Sequence, residues 1–425
     1  MMTPTMRDDN PSTPSATLVD GAAATNRPPP PWLFGLTAMP YGVSAGFVAS
    51  TMPFFTRKAG ISVENIGWYG SALYIPAAFA FMYTPLVDIG PKRKHWLVLF
   101  AILSAACLCL ALLMPLPQRI GSYLGLVFAA SVMSGLISSC NGGLMATSVP
   151  DEKRGVTAGW YNLGNLTGGA LGAWLTLTLA ERCQPLTVGL ALAAMMIVPS
   201  LAVLTIAEPA HPRRRIAAVF LSLWRDVARV ARSRPGWSGM LFCISPVGTA
   251  ALLNYFAALT LDYHASDRMA GFVNGPVNGL VTGAGSLIGG WVCDRFYRRG
   301  MYLLSGFLTA VCGVAMLLAP LTPTTYAVGV SAYLFVAGFC YASFSAVVLE
   351  SIGSGGAAAS TQYQLFVSAG NMAIAYVGLI DTRFHSWRGA RGLLGVDAAL
   401  NIIGIAVLAL LFRLLRTKAP AHAAA

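Results

Sequence analysis

Long stretches without a single Asp, Glu, Lys or Arg divide this chain, and they constrain its fold more than any motif does. They cover 28–56, 65–87, 96–118, 120–150, 155–180, 183–207, 235–261, 269–293, 300–349 and 351–380. Each holds at least the roughly 20 residues that a helix needs to cross hydrocarbon. The run 300–349 has room for two spans, with Pro320 and Pro323 supplying a break. A last apolar segment, 392–412, is interrupted only by Asp397. Twelve spans are expected. Backbone groups in lipid must be satisfied within the spanning structure, so helices are the expected form, and no train of roughly ten-residue barrel strands is visible. Only 10% of residues are charged, against about 25% in a soluble domain, so a soluble enzyme is excluded.

The basic residues set an expected orientation. With the N-terminus inside, the inner pieces hold 20 of the 28 Lys and Arg and the outer loops hold eight. Such a bias places both termini in the cytoplasm, and a bacterial inner membrane is the expected location. The net charge of +12 is then topological. It is spread over every inner loop, whereas nucleic-acid binding needs one basic face, so no nucleic-acid partner is expected.

The N-terminal segment 1–30 reads as a disordered cytoplasmic tail without a signal peptide. Residues 31–207 read as one six-helix bundle, 236–415 as a second, and 416–425 as a cytoplasmic tail. Between the bundles, 208–235 is strongly basic. Ile216, Val219, Phe220, Leu223, Val227 and Val230 recur there at helical spacing, which predicts an amphipathic helix on an anionic membrane surface. Seven of the eight Cys lie in or at the edge of spans, leaving Cys183 alone in an outer loop, so neither a disulfide framework nor a zinc site is expected.

An internal repeat relates the halves. Residues 84–94 read TPLVDIGPKRK and 289–300 read GGWVCDRFYRRG. Each places an acid at the end of a span, Asp88 or Asp294, followed closely by basic residues. The acids are 206 residues apart, about half the chain. The second copy, with Gly290, Asp294, Arg295, Arg298 and Arg299, resembles the signature loop of the major facilitator superfamily. The first has Thr84 where Gly is usual, but Asp88, Lys92 and Arg93 fit. The resemblance implies an all-α fold of twelve transmembrane helices in two six-helix pseudo-repeat bundles around a central cavity, working by alternating access. It also implies that Asp88 faces the start of helix 11 near Ser360-Thr361, and Asp294 the start of helix 5 near Val156-Thr157. A carboxylate there meets the partial positive charge of a helix N-terminus, which makes these loops gates.

Three stretches look like the AmpG-like muropeptide permease branch, a peptide–acetyl-coenzyme A transporter family: AMPYGVSAGF in the first span, VPDEKRGVTAGWYNLGN before helix 5, and ASTQYQLFVSAGN opening helix 11. Asn162 follows Tyr161 where that branch is expected to carry Arg. The resemblance implies a secondary transporter that imports a muropeptide-like sugar–peptide or similar polar metabolite with protons, and a monomer is expected. A siderophore importer and a drug–proton antiporter of the same superfamily stand as alternatives. The Gly-rich helix 5 also suits an antiporter, although Gly168-Gly169-Ala170 lacks that motif's usual Pro.

The spans carry no Lys or Arg, which disfavours phosphorylated substrates. Their polar groups near mid-depth are Tyr41, Ser139, Asn141, Tyr161, Asn162, Asn165, Asn254, Tyr255, Asn274, Asn278, Tyr341 and Asn371. Each can join two helices or contact a substrate. Catalysis would need a converging nucleophile–base set or metal cluster, and all five His read as loop or tail residues, so neither enzyme activity nor a cofactor is expected. No Walker-type loop occurs, leaving an ion gradient as the energy source. Asp397 reads as the one acid within a span, with Asn401 one turn on. It is a candidate proton carrier or the partner of Arg388 or Arg391 in an ion pair.

Overall fold

A computed structural model describes residues 28–208, 228, 232–352 and 358–416. The described part is helical, and seven stretches are long and apolar enough to cross a membrane. One of these, Ala359–Leu411, is long enough for two passes. The first half contains α1 (Pro31–Lys58), α2 (Val63–Ala78), α3 (Arg93–Leu112), α4 (Ile120–Ser148), α5 (Arg154–Ala180) and α6 (Pro185–Leu201). The second contains α7 (Arg234–Ile244), α8 (Asn278–Arg295), α9 (Arg298–Leu318), α10 (Pro323–Ile352), α11 (359–387) and α12 (390–416). The amphipathic linker helix expected around 216–230 lies outside the described residues, apart from Ala228. So do residues 1–27 and 417–425 of the expected tails.

Local chemistry starts and stops the helices. Pro31 and Pro185 occupy first-turn positions where no backbone donor is needed. Ser62 and Ser233 cap α2 and α7 by accepting from the Asn65 and Gly236 amides. Arg388 and Gly389 leave helical geometry, Gly389 at φ +61°, and separate α11 from α12. Three passes are interrupted. α2 continues through 3₁₀ turns at Ala80–Met82 and Thr84–Asp88. α8 is preceded by a short helix, Asp267–Phe272, and a wider π turn at Val273–Val277 around Pro276. α7 stops before Pro246, and the chain resumes at Ala251–Asn254 and Phe256–Leu259.

Glycine positions set the closest approaches. A Cβ on Gly42 would strike the Asn165 carbonyl, and one on Gly164 the Gly35 carbonyl. α1 and α5 therefore pack backbone against backbone within the first half. Across the halves, Gly155 and Gly290 bring α5 against α8, each Cβ position being filled by the other's carbonyl oxygen. On the opposite flank, α11 meets α2 and α4 through larger side chains: Gly142 lies under the Tyr363 ring and Gly143 under Ser360 and Arg93.

Candidate functional site

A cavity of about 240 Å³ lies where the two halves meet. Tyr41 of α1, Ser138 of α4, and Tyr161, Asn162 and Asn165 of α5 form one wall. Tyr302 of α9, Tyr341, Phe344 and Ser345 of α10, and Tyr363 and Asn371 of α11 form the other. No Asp, Glu, Lys, Arg or His lines it. Asn162 joins the walls, its amide nitrogen lying 3.2 Å from the Tyr341 carbonyl and 3.0 Å from Ser345 Oγ. Tyr161 and Ser138 share a 3.0 Å hydrogen bond. A smaller hollow of about 70 Å³ shares Tyr41 and Asn371 with the cavity. Buried Ser44 Oγ and Gln364 Oε1 in its lining have no hydrogen-bond partner.

The break in α7 contributes Gly248 and Thr249 to the cavity wall. Gly248 has φ +64°, and Ala250 has φ +52°, a conformation unfavourable for a residue with a Cβ. Asn401 of α12 holds the break, its Oδ1 accepting from the Gly248 amide at 2.8 Å.

Six expected cavity residues fall in this lining: Tyr41, Tyr161, Asn162, Asn165, Tyr341 and Asn371. The other six are elsewhere. Ser139 donates to the Ser360 carbonyl, pinning α4 to α11. Asn141 exchanges hydrogen bonds with Thr37 and joins α4 to α1. Asn274 donates to the Tyr326 hydroxyl, and Asn278 accepts from Thr282 one turn on. Asn254 is exposed, and the Tyr255 hydroxyl lies beside Gly378 of α11. Ser138, Tyr302, Phe344, Ser345 and Tyr363 were missed. Tyr363 stands in the quoted opening of helix 11 and Ser345 lies one turn beyond Tyr341, so those two had a signal. Tyr302 had none.

Both repeated acids reach across the halves at one end of the molecule. Asp88 Oδ2 accepts from the Thr361 amide at 2.9 Å and the Thr361 hydroxyl at 2.8 Å. Its Oδ1 accepts from Arg93 Nε at 3.1 Å and Nη2 at 2.9 Å, and Arg93 Nε also lies 2.8 Å from Ser360 Oγ. Asp294 Oδ1 accepts from the Gly155 amide at 2.6 Å and Oδ2 from the Val156 amide at 2.7 Å. The acid therefore sits one residue earlier on α5 than Val156-Thr157. Burial pushes the Asp294 carboxyl up, while the Val156 and Gly155 amides and Arg298 pull it back.

The other expected gate residues divide. Gly290 packs on Gly155, and Arg298 donates to the Asp151 carbonyl. Arg299 pairs with Glu350 at 3.0 Å and donates to Ser238 at 2.9 Å. Two residues depart from the expectation: Lys92 is exposed, and Arg295 lies over the Trp291 ring at 3.8 Å, so neither reaches across the halves. Two further charged residues were missed as parts of the closure. Buried Glu208, read as the first residue of the linker, accepts from the Arg93 and Lys94 amides at the start of α3. Buried Arg154, read only as loop charge, donates to the carbonyls of Ala146 on α4 and Leu349 on α10.

Asp397 requires two corrections. It is wholly buried, but its side-chain hydrogen bond comes from Tyr333 at 3.4 Å, and neither Arg388 nor Arg391 pairs with it. Nor is it the one acid within a span. α11 continues through Asp381, which is wholly buried too, and through His385. Asp381 lies seven residues before the break at Arg388–Gly389 and Asp397 eight residues after it. The expectation of a single acid within the spans is therefore overturned.

The family model described as the Major Facilitator Superfamily matches residues 34–377. No curated protein sequence matches. Among solved structures, the human organic anion transporter MFSD10 (TETRAN) is similar at TM-score 0.69 and 14% identity, covering 89% of this chain and 100% of that one. The proton:xylose symporter XylE, bound to 6-bromo-6-deoxy-D-glucose, gives 0.67 and 13%, covering 89% and 94%. The E. coli fucose:proton symporter FucP gives 0.62 and 12%, covering 89% and 98%. These likenesses fix the architecture as twelve transmembrane helices in two six-helix bundles around a central cavity.

Proposed function

This chain belongs to the Major Facilitator Superfamily, and from that premise we propose that it imports a small polar solute without net charge by alternating access. It is a multi-pass membrane transporter and not an enzyme. The observation that carries the substrate reading is the composition of the cavity wall. Tyr, Asn and Ser supply hydrogen bonds and flat apolar faces, with no charged group to pair with an ion. A buried ion without a partner is strongly disfavoured, so phosphorylated solutes and lone cations are poor fits. A sugar or peptide moiety, with many hydroxyl or amide groups, suits the wall well. The resemblance to muropeptide permeases makes a sugar–peptide, of a kind whose carboxyls are amidated or balanced by amines, the favoured substrate and the bacterial inner membrane the location, with an ion gradient as the energy source.

The Asp88 and Asp294 contacts are assigned as the gate on the more basic, cytoplasmic face. They join the halves while the carboxylates are seated on the starts of α11 and α5, and must release for the cavity to open there. A thermal-shift panel on purified protein tests the substrate reading with muropeptides, siderophores, small peptides and cationic drugs. Uncharged sugar–peptides or small neutral peptides are expected to raise the unfolding temperature, and Asn162→Ala to abolish the rise. A shift produced only by hydrophobic cations would replace this reading with drug efflux, and one produced only by siderophores with chelate import.

A further inference from the structure

Two carboxyl groups lie inside the second bundle with no cation against them. Asp381 on α11 and Asp397 on α12 are each 0% exposed. Both oxygens of Asp381, and Oδ1 of Asp397, lack a hydrogen-bond partner. The groups around them are neutral or acidic. On α10, Tyr333 donates to Asp397 at 3.4 Å, and the Tyr255 hydroxyl, from the segment after α7, lies beside Gly378, three residues before Asp381 on α11. α9 crosses Asn401 and Ala398 of α12 at Gly306 and Gly313, and its Thr309 hydroxyl shares a hydrogen bond with Cys340 of α10. Of the nearby arginines, Arg388 lies over the Trp387 ring and Arg391 is exposed.

Two neighbouring carboxylates cannot both stay ionised in such surroundings. Three unpartnered oxygens are too few for a hard divalent cation, which takes roughly six or more. Among the described residues no group of acids, Cys and His could hold a metal. The proton is the cation that needs no coordination shell.

A route in and a route onward are both present. His385 lies one turn beyond Asp381 on the same helix, paired with Asp262 at 3.1 Å and partly exposed. In the other direction, Asn401 donates to the Asp397 backbone carbonyl at 3.0 Å and accepts from the Gly248 amide at 2.8 Å. Gly248 and Thr249 are cavity wall. α11 also runs directly from the cavity at Asn371 and Ile374 to Asp381, two turns beyond Ile374.

We infer that Asp381 and Asp397 form a proton-binding pair, loaded from the His385 face, whose charge state reaches the cavity through Asn401 and the break in α7. Uptake forms a carboxyl O–H bond and removes one proton from solution at that face; release returns the proton to water. The unfavourable φ at Ala250 makes the break a part of the wall that depends on its restraints, and Asn401 is one of them. The inference rests on the transport reading for its purpose but not for its test.

The test is infrared difference spectroscopy of the full chain in lipid, titrated with pH without substrate, with a pH dye counting protons. The wild-type protein is expected to show a carboxylic acid band that disappears as pH rises, with matching proton release. Asp381→Asn and Asp397→Asn are each expected to lose part of the band and the double variant all of it. Asn imitates the neutral acid, so these variants keep the uncharged packing; should one fail to fold, the wild-type titration still decides whether buried acids take up protons. The second readout is maleimide labelling of Thr249→Cys in a background whose eight native Cys are replaced by Ser or Ala. Its rate is expected to change several-fold across the same titration. Asn401→Ala is expected to abolish that change while keeping the infrared band. A band that survives in the double variant, or a response to sodium in place of pH, overturns the proton pair. A labelling rate that still follows pH in Asn401→Ala overturns the transmission. Since no substrate is used, failure here is separate from failure of the substrate panel.

Discussion

The Asp88 and Asp294 junctions descend from one repeated pattern yet close the molecule in different ways. At Asp294, Gly290 meets Gly155, so two helix backbones touch and the carboxylate reaches only the Gly155 and Val156 amides and Arg298. At Asp88, 206 residues earlier, Thr84 stands in the place of Gly290 and Thr361 in that of Gly155. Side chains hold the backbones apart there, and the gap is filled by Arg93, bonded to Asp88 and Ser360 beside Glu208. One junction is a backbone contact with a charge on it. The other is a buried ionic network. A repeated sequence pattern therefore marks where the two halves meet, while the size of the facing residues decides what kind of interaction joins them.

Removing Asp88 should be the most damaging change at either junction. Asp88→Asn takes from the Arg93 guanidinium, 2% exposed, its carboxylate partner at 2.9 Å. Breaking a buried pair by deleting one partner costs about 3 kcal/mol or more. The expected outcome is a large fall in the unfolding temperature in detergent, with transport sharply reduced. Adding Arg93→Met should recover part of that stability, because the stranded charge is then gone. No recovery would mean that the network is not the source of the loss.

Gly290→Ala comes next and acts only on the other junction. The added methyl meets the Gly155 carbonyl and the Gly159 backbone, neither of which is a movable side-chain end. Overpacking of this kind costs about 1–3 kcal/mol. The unfolding temperature in detergent should fall by less than in Asp88→Asn. An unchanged unfolding temperature would show that the backbone contact does not hold this flank.

Asp294→Asn should cost less than either. It keeps the shape, and the amide oxygen can still accept from a backbone N–H. What is lost is a charge at a helix N-terminus, worth about 1 kcal/mol in a partly buried setting. Unfolding temperatures of the two Asn variants compare the junctions directly. Equal losses would overturn the distinction between network and backbone contact.

The same physics explains what could be read in the chain beforehand. Spans and the junctions between the halves were legible because lipid excludes charge, so the few Asp and Arg fall at span ends and a duplicated acid stands out. That rule failed at Asp381. Ending the eleventh span at residue 380 assumes that an acid must be at the surface, and a buried, unpartnered carboxyl breaks the assumption while leaving no trace in composition. Cavity residues were legible only in part because polar groups in a helix have two fates. Ser138 and Asn141 lie three residues apart on α4, yet one faces Tyr161 in the cavity wall and the other faces Thr37 of α1. The neighbour, not the residue, decides, and no single sequence states the neighbour. Glu208 was hidden for a related reason: its partners are the two free amides that open α3, a need that every helix start has and that no side chain advertises.

The smallest effect is expected at Arg298. It is the most prominent basic residue after Asp294 in the signature loop, and by pattern alone its removal should rival that of Asp88. Its surroundings say otherwise. The side chain is 14% exposed and stands 3.4 Å from Asp294 Oδ1, where Arg93 approaches Asp88 to 2.9 Å with two nitrogens. Asp294 already has two amide donors, so Arg298→Gln strands no charge, and Gln can still donate to the Asp151 carbonyl. A partly exposed pair is worth about 0–1 kcal/mol, and the unfolding temperature should move little. Arg93→Gln, the matching change in the first repeat, should cost several times more, because it removes the guanidinium bonded to buried Asp88 at 2.9 Å and standing 3.8 Å from Glu208. If the two Gln variants unfold alike, the ionic network at Asp88 contributes no more than a surface pair, and the two junctions are equivalent in energy as well as in pattern.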